Sequence, residues 1–179
     1  PSYFLQVYGC QMNQYEAGIV RRVLNDAGYG ETADDTAADL LLMLTCSVRS
    51  RAEARAIGRL AGFRALRRSR PGTLVGVLGC TARNLGRELI EGHGADLVVG
   101  PDRYLELHAL VAAARAKGPQ LDIAEGATCY EDIRPVPDRP FCGMVTVMRG
   151  CDNRCSYCIV PLVRGRASPS PSRRTALSL

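Results

Sequence analysis

The chain has 179 residues, of which 46% are apolar and 23% charged, a balance that fits a soluble folded core and excludes a disordered chain. No run approaches the roughly 18 apolar residues of a membrane helix, and no basic stretch leads into an apolar one at the start, so the sequence predicts no membrane partner and no secretory signal. The net charge of +5 is uneven: residues 1–133 carry 15 Lys+Arg against 16 Asp+Glu, whereas residues 134–179 carry eight Arg against Asp138 and Asp152.

In chain order, residues 3–8 read as a strand and residues 14–27 as a helix closed by Gly28. Residues 39–44 form a nearly continuous apolar run, as a central parallel strand should. A helix over 50–68 follows, with Ala52, Ala56, Leu60 and Phe63 on one stripe. Pro71-Gly72 ends it, 74–78 makes another strand and 82–90 another helix. Residues 95–99 are a fourth buried strand before Gly100-Pro101, and Asp102 is placed to cap a helix through Arg115. Strands alternating with helices imply βαβ units, an α/β fold with a mainly parallel open sheet and flanking helices. Residues 118–140 contain Pro119, Pro135, Pro137 and Pro140 and read as a connector with a short extended piece at 121–123. A further strand is predicted over 141–148, and residues 167–179 read as an irregular, low-complexity tail.

Eight cysteines invite a disulfide reading. The α/β pattern, the room for a core and the lack of an export signal favour reduced thiols that hold metal in the cytoplasm. Cys10, Cys46 and Cys80 each follow a predicted strand directly. Ligands of an open α/β sheet bind at the loops after the carboxyl ends of its strands, so three thiols separated by 36 and 34 residues can converge on one edge. Gly9 and Gly79 let the backbone turn sharply beside them. The plain alternative for each is a buried thiol without a role.

The remaining constellation, Cys151-Asp152-Asn153-Arg154-Cys155-Ser156-Tyr157-Cys158, spaces three thiols as C-x3-C-x2-C. Structural zinc takes four ligands, and His93 and His108 are the only histidines, neither of them near this run. Bacterial ferredoxin runs have another spacing. The run resembles the cluster loop of the radical S-adenosylmethionine (SAM) superfamily, and Tyr157 matches the aromatic position there, implying a ring that packs near the adenine of SAM. Tyr8-Gly9-Cys10-Gln11-Met12-Asn13, Thr45-Cys46-Ser47-Val48-Arg49, Gly79-Cys80, Arg149 to Cys158, Ile159-Val160-Pro161 and Arg164-Gly165-Arg166 together resemble the radical SAM methylthiotransferases. Thr-Cys-Ser-Val-Arg is similar to their MiaB-type tRNA branch. The resemblance covers residues 3–166, and its motifs are highly specific in combination.

That resemblance implies a methylthiotransferase N-terminal α/β domain over 1–117, a connector over 118–140 and the start of a radical SAM (β/α) barrel, its first strand and cluster loop, over 141–166. Two 4Fe–4S clusters are implied. Cys151, Cys155 and Cys158 would hold the one that cleaves SAM to a 5′-deoxyadenosyl radical. Cys10, Cys46 and Cys80 would hold an auxiliary one carrying the sulfur to be transferred. The implied reaction adds a methylthio group to carbon 2 of N6-isopentenyladenosine beside the anticodon of tRNA, with an electron donor such as a flavodoxin-type reductant. Sister enzymes acting on threonylcarbamoyladenosine or a ribosomal protein stay open as alternatives, as does a noncatalytic iron–sulfur or RNA-binding module. Leu44 departs from the Asn that usually precedes Thr-Cys. The family continues for a couple of hundred residues more, so this chain alone is expected not to complete the reaction. Cys129 and Cys142 match no ligand position and read as structural or incidental thiols.

Two arginine features admit two readings each. The basic excess beyond residue 133 suits either an anionic partner such as a phosphate backbone or a solubilising tail. Arg51, Arg55 and Arg59 recur every four residues, as an RNA-facing stripe or as a solvated helix face.

Overall fold

The computed structural model describes residues 1–126, 130, 132–138, 141, 143–144 and 146–169. Cys129 and Cys142 lie outside them. The described elements in chain order are β1 (Ser2–Val7), α1 (Gln11–Asp26), β2 (Gly30–Glu31), β3 (Leu40–Thr45), α2 (Ser50–Ser69), β4 (Leu74–Gly79), α3 (Cys80–Leu85), α4 (Glu88–Glu91) and β5 (Leu97–Val99). They continue with a 3-10 turn (Tyr104–Glu106), α5 (Leu107–Lys117), β6 (Gln120–Asp122), β7 (Met148–Arg149), α6 (Val160–Arg164) and β8 (Ser168–Pro169). β1 to β6 form one parallel sheet in the order β2-β1-β3-β4-β5-β6.

β3 is buried at all six positions because helices cover both faces of the sheet. Successive side chains point to opposite faces. Leu40, Leu42 and Leu44 therefore join a core under α1 and α5, with Ile19, Leu24 and Val111. Leu41 and Met43 join a second core under α2, with Leu60 and Phe63. Leu42 is fully buried, and its Cδ2 approaches Gly76 so closely that a Cβ there would stand 2.6 Å away. Leu42→Ala is expected to destabilise the fold by about 2–5 kcal/mol, read from the midpoint of urea unfolding, because the cavity opens where both neighbouring strands hold their backbones fixed.

Three predicted elements differ from the structure. The helix expected over 82–90 is two short helices, α3 and α4, parted at Gly86, whose φ of 50° turns the chain out of the helix. Asp102 caps no helix: α5 starts only at Leu107, with Glu106 at its N-cap position, and the Asp102 carboxylate is drawn to two arginines. The strand expected over 141–148 is reduced to β7, which pairs antiparallel with β8; described residues between 141 and 147 are not extended into a ladder. A strand persists only where a neighbour takes up its amides and carbonyls, and β8 meets only its last part. Two additions come from register. β2, two residues long, is an edge strand beside β1, and residues 120–122 form the opposite edge strand rather than a free extended piece.

Candidate functional site

β1, β3 and β4 lie side by side, and Cys10, Cys46 and Cys80 follow their carboxyl ends. Cys10 is the N-cap residue of α1 and Cys80 the first residue of α3. Cys46 and Cys80 are buried and Cys10 is partly so. Two glycines make this approach possible. Gly9 has φ 141°, and a Cβ on it would stand 2.6 Å from the Cys46 Cβ and 2.8 Å from Asn13 Nδ2. Gly79 has φ 91°, and a Cβ there would stand 2.7 Å from the Thr45 carbonyl oxygen. Asn13 closes the turn by donating from Nδ2 to the Tyr8 carbonyl at 2.9 Å.

The thiols act on one another. A hydrogen bond from the Cys46 thiol, together with the amides of Asn13 and Met12 at the start of α1, pulls Cys10 down to about 5 against the opposing effect of burial. The same bond to Cys10, and burial, push Cys46 up. Burial also raises Cys80, against the pull of Arg164, which hydrogen-bonds it. Three mutually sensed thiols on one edge form a soft donor set of the kind that iron–sulfur clusters use. Among the described residues, no three His, Cys, Asp or Glu side chains close into a cage for a single ion.

Cys151, Cys155 and Cys158 lie on the loop between β7 and α6, with Cys155 exposed and the other two partly buried. The Cys158 N–H donates to the Cys155 carbonyl at 3.1 Å, and the Cys151 N–H donates to the Gly165 carbonyl at 3.2 Å, so the loop is tied across its own mouth. Gly150, at φ 70°, sits so near the Arg166 carbonyl that no Cβ fits. Cys151 and Arg154 line a shallow hollow with Pro161, Gly165 and Arg166. Tyr157 is 89% exposed.

A buried charge cluster lies between the two sets of cysteines. Glu16 of α1 is fully buried. Arg164 Nη1 donates to its Oε1 at 2.7 Å and Arg149 Nη2 to the same oxygen at 3.3 Å, while the Tyr104 hydroxyl donates to Oε2 at 3.1 Å. Arg149 also lies 3.2 Å from Asp102 Oδ1, donates to the Pro101 carbonyl at 2.9 Å and stacks over Tyr130. Arg83 completes the cluster, 3.1 Å from the other Asp102 oxygen. Burial works against the charge of Arg164, yet Glu16 and then Cys80 raise its pKa above the ordinary value. Burial likewise raises Asp102, against the pull of Arg149 and Arg83.

The arginine stripe on α2 is broken by its third member. Arg59 pairs with Asp35, donates to Gln6 Oε1 at 3.0 Å and lies over the Phe63 ring, which leaves Arg51 and Arg55 exposed. His93 lies 4.0 Å from Glu88, and His108 is exposed. Glu16 carries no expectation from the sequence, although a signal exists: it falls on the same helix face as Asn13, Ala17, Val20 and Leu24, all buried. A carboxylate in an apolar stripe asks for a buried partner. Among the described residues, no helix is long and apolar enough to cross a membrane.

The model of the Uncharacterized protein family UPF0004 matches residues 2–100. A "tRNA-2-methylthio-N(6)-dimethylallyladenosine synthase" of Parabacteroides distasonis is 43% identical over 167 residues, covering 91% of this chain and 36% of that protein. The protein of the same name from Porphyromonas gingivalis is 42% identical over 170 residues, with the same coverage. The chain thus spans about a third of the length of the curated relatives that it matches. Among solved structures, a radical S-adenosylmethionine methyltransferase, TsrM, from Kitasatospora setae, with cobalamin and a [4Fe-4S] cluster bound, shares the fold with a TM-score of 0.55. It is 15% identical, and the likeness covers 94% of this chain and 43% of that one.

Proposed function

The chain belongs to the Uncharacterized protein family UPF0004, and on that footing we propose that it carries the two iron–sulfur sites of a tRNA methylthiotransferase. The proposed reaction adds a methylthio group to carbon 2 of N6-isopentenyladenosine beside the anticodon. The observation that carries this reading is the meeting of Cys10, Cys46 and Cys80 on one sheet edge, with a second three-cysteine loop fastened beside it through Arg164. The relatives named for that same methylthio product supply the substrate class.

Each of this chain's groups has a part in that reading. Cys151, Cys155 and Cys158 would hold one 4Fe–4S cluster, and Cys10, Cys46 and Cys80 would hold the other. The first would supply the cleavage of SAM, and the second the sulfur to be transferred. Gly9 and Gly79 keep the first edge clear of side chains where a bulky group has to enter. Arg164 places a positive charge beside Cys80, which favours thiolate ligands there. Tyr157 covers the outer side of the second loop, placed to pack on the adenine of SAM. Thiols kept reduced for this purpose suit the cytoplasm.

Anaerobic reconstitution with iron and sulfide tests the reading. About eight irons per chain are expected, as two 4Fe–4S sites require, and adding SAM should change the electron paramagnetic resonance (EPR) spectrum of the reduced protein. Tightly bound zinc, or an iron content near zero, would sink it. Tyr157→Ala is expected to blunt the response to SAM and to leave thermal stability within about 0.5 kcal/mol of the parent, since the ring is almost wholly in solvent.

A further inference from the structure

Glu16 touches both ends of the second cysteine loop. Arg149 stands two residues before Cys151, and Arg164 closes α6, six residues after Cys158. Both guanidinium groups converge on one carboxylate oxygen, at 3.3 and 2.7 Å, and Arg164 adds a second contact at 3.3 Å to the other oxygen. Glu16 itself stands on α1, less than two turns from Cys10. Arg164 then reaches on to Asn13 Oδ1 at 3.4 Å, the residue that holds the turn of Gly9 and Cys10. The residues described between β6 and β7 form no regular element, but the Val136 N–H donates to the Gly18 carbonyl of α1 at 3.0 Å, so this stretch too is fastened to the helix that carries Glu16.

We propose that Glu16 is a positioning residue that fixes the Cys151/Cys155/Cys158 loop against the Cys10/Cys46/Cys80 edge, so that a buried carboxylate sets the spacing of the two sites. This deepens the two-cluster reading and rests on it for its purpose, although the clamp itself can be tested without iron. Charge balance supports the assignment. Arg83, Arg149 and Arg164 face two carboxylates, Glu16 and Asp102, and Glu16 alone takes both of the arginines that flank the loop. Buried charges persist only with partners. Without Glu16, Arg164 loses its carboxylate partner and Arg149 loses one of its two, so the tie that joins both loop ends to α1 is weakened while Asp102, the Pro101 carbonyl and the Tyr130 ring still hold Arg149.

Hydrogen exchange on the full chain, compared with Glu16→Gln and Glu16→Asp, decides it. Glu16→Gln keeps the size of the side chain and removes its charge. The amides of Cys151, Leu162 and Val163, bonded to the carbonyls of Gly165 and Ile159, are expected to exchange about tenfold faster in Glu16→Gln, while β3 and β4 amides keep their rates. Glu16→Asp, which restores the charge on a shorter arm, should lie between. Unchanged exchange at the loop would overturn the proposal, and so would equal acceleration in β3 and β4, the mark of a general loss of stability. In reconstituted protein, Glu16→Gln should retain its iron, and the magnetic interaction between the two reduced clusters should weaken in EPR. A parent chain that takes up no iron would defeat the two-cluster reading alone, and the exchange rates would still decide the clamp.

Discussion

Replacing Cys10, Cys46 and Cys80 together by alanine is expected to lower the iron content of the anaerobically reconstituted chain from about eight to about four per chain, as the loss of one 4Fe–4S site requires. The EPR response to SAM should survive, because it belongs to the other loop. The reciprocal variant, Cys151→Ala/Cys155→Ala/Cys158→Ala, should also fall to about four irons and lose that response. The two losses differ in their structural cost. Cys46 and Cys80 are buried at strand ends, so the first variant also removes packed sulfur and should unfold at a lower temperature. Cys155 is exposed, and the second variant should melt close to the parent. An iron content that stays near eight in either variant would show that those cysteines hold nothing.

Gly9→Ala should act at the same place without replacing any of the cysteines. At φ 141° an L side chain is strained, and its Cβ would press against the Cys46 Cβ and the Asn13 amide. The strain is worth about 1–3 kcal/mol. The more telling effect is on cluster uptake, which should fall by up to about four irons per chain as Cys10 and Cys46 are forced apart. Gly28→Ala is the matched control. Gly28 has φ 82° with no atom within 4 Å of an added Cβ, so it should lose stability through backbone strain alone and bind iron as the parent does. Iron counts that drop equally in both would mean that Gly9 has no special tie to the cysteine site.

Much of this arrangement is legible in the sequence because apolar runs mark buried parallel strands and the cysteines stand directly after them. That alone places Cys10, Cys46 and Cys80 on the binding edge of the sheet. The resemblance of the motifs to methylthiotransferases is borne out by relatives about 40% identical, and the α/β sheet is as expected. Neighbour relations are harder to read. Nothing local in Gly30-Glu31 marks a strand, since its partner Ser2-Tyr3 is distant in sequence. Asp102 has the residue type and place of a helix cap, and a buried arginine from 47 residues further on claims it instead. Glu16 is hidden for the same reason: its partners Arg149 and Arg164 are more than 130 residues away, and only the fold brings them together. Periodicity reports which face of an element is buried. It does not report what waits on the other side.

The side-by-side order of β1, β3 and β4 also dictates when each set of thiols can come into being as the chain folds. Cys151, Cys155 and Cys158 lie within eight residues, so the chain brings their thiols together at the small entropic cost of closing a short loop. Cys10, Cys46 and Cys80 span 71 residues and meet only after two parallel crossovers have closed, contacts of long sequence separation that form slowly. The two sets of thiols therefore differ in what assembles them: a short stretch of chain gathers one, and only the finished sheet gathers the other.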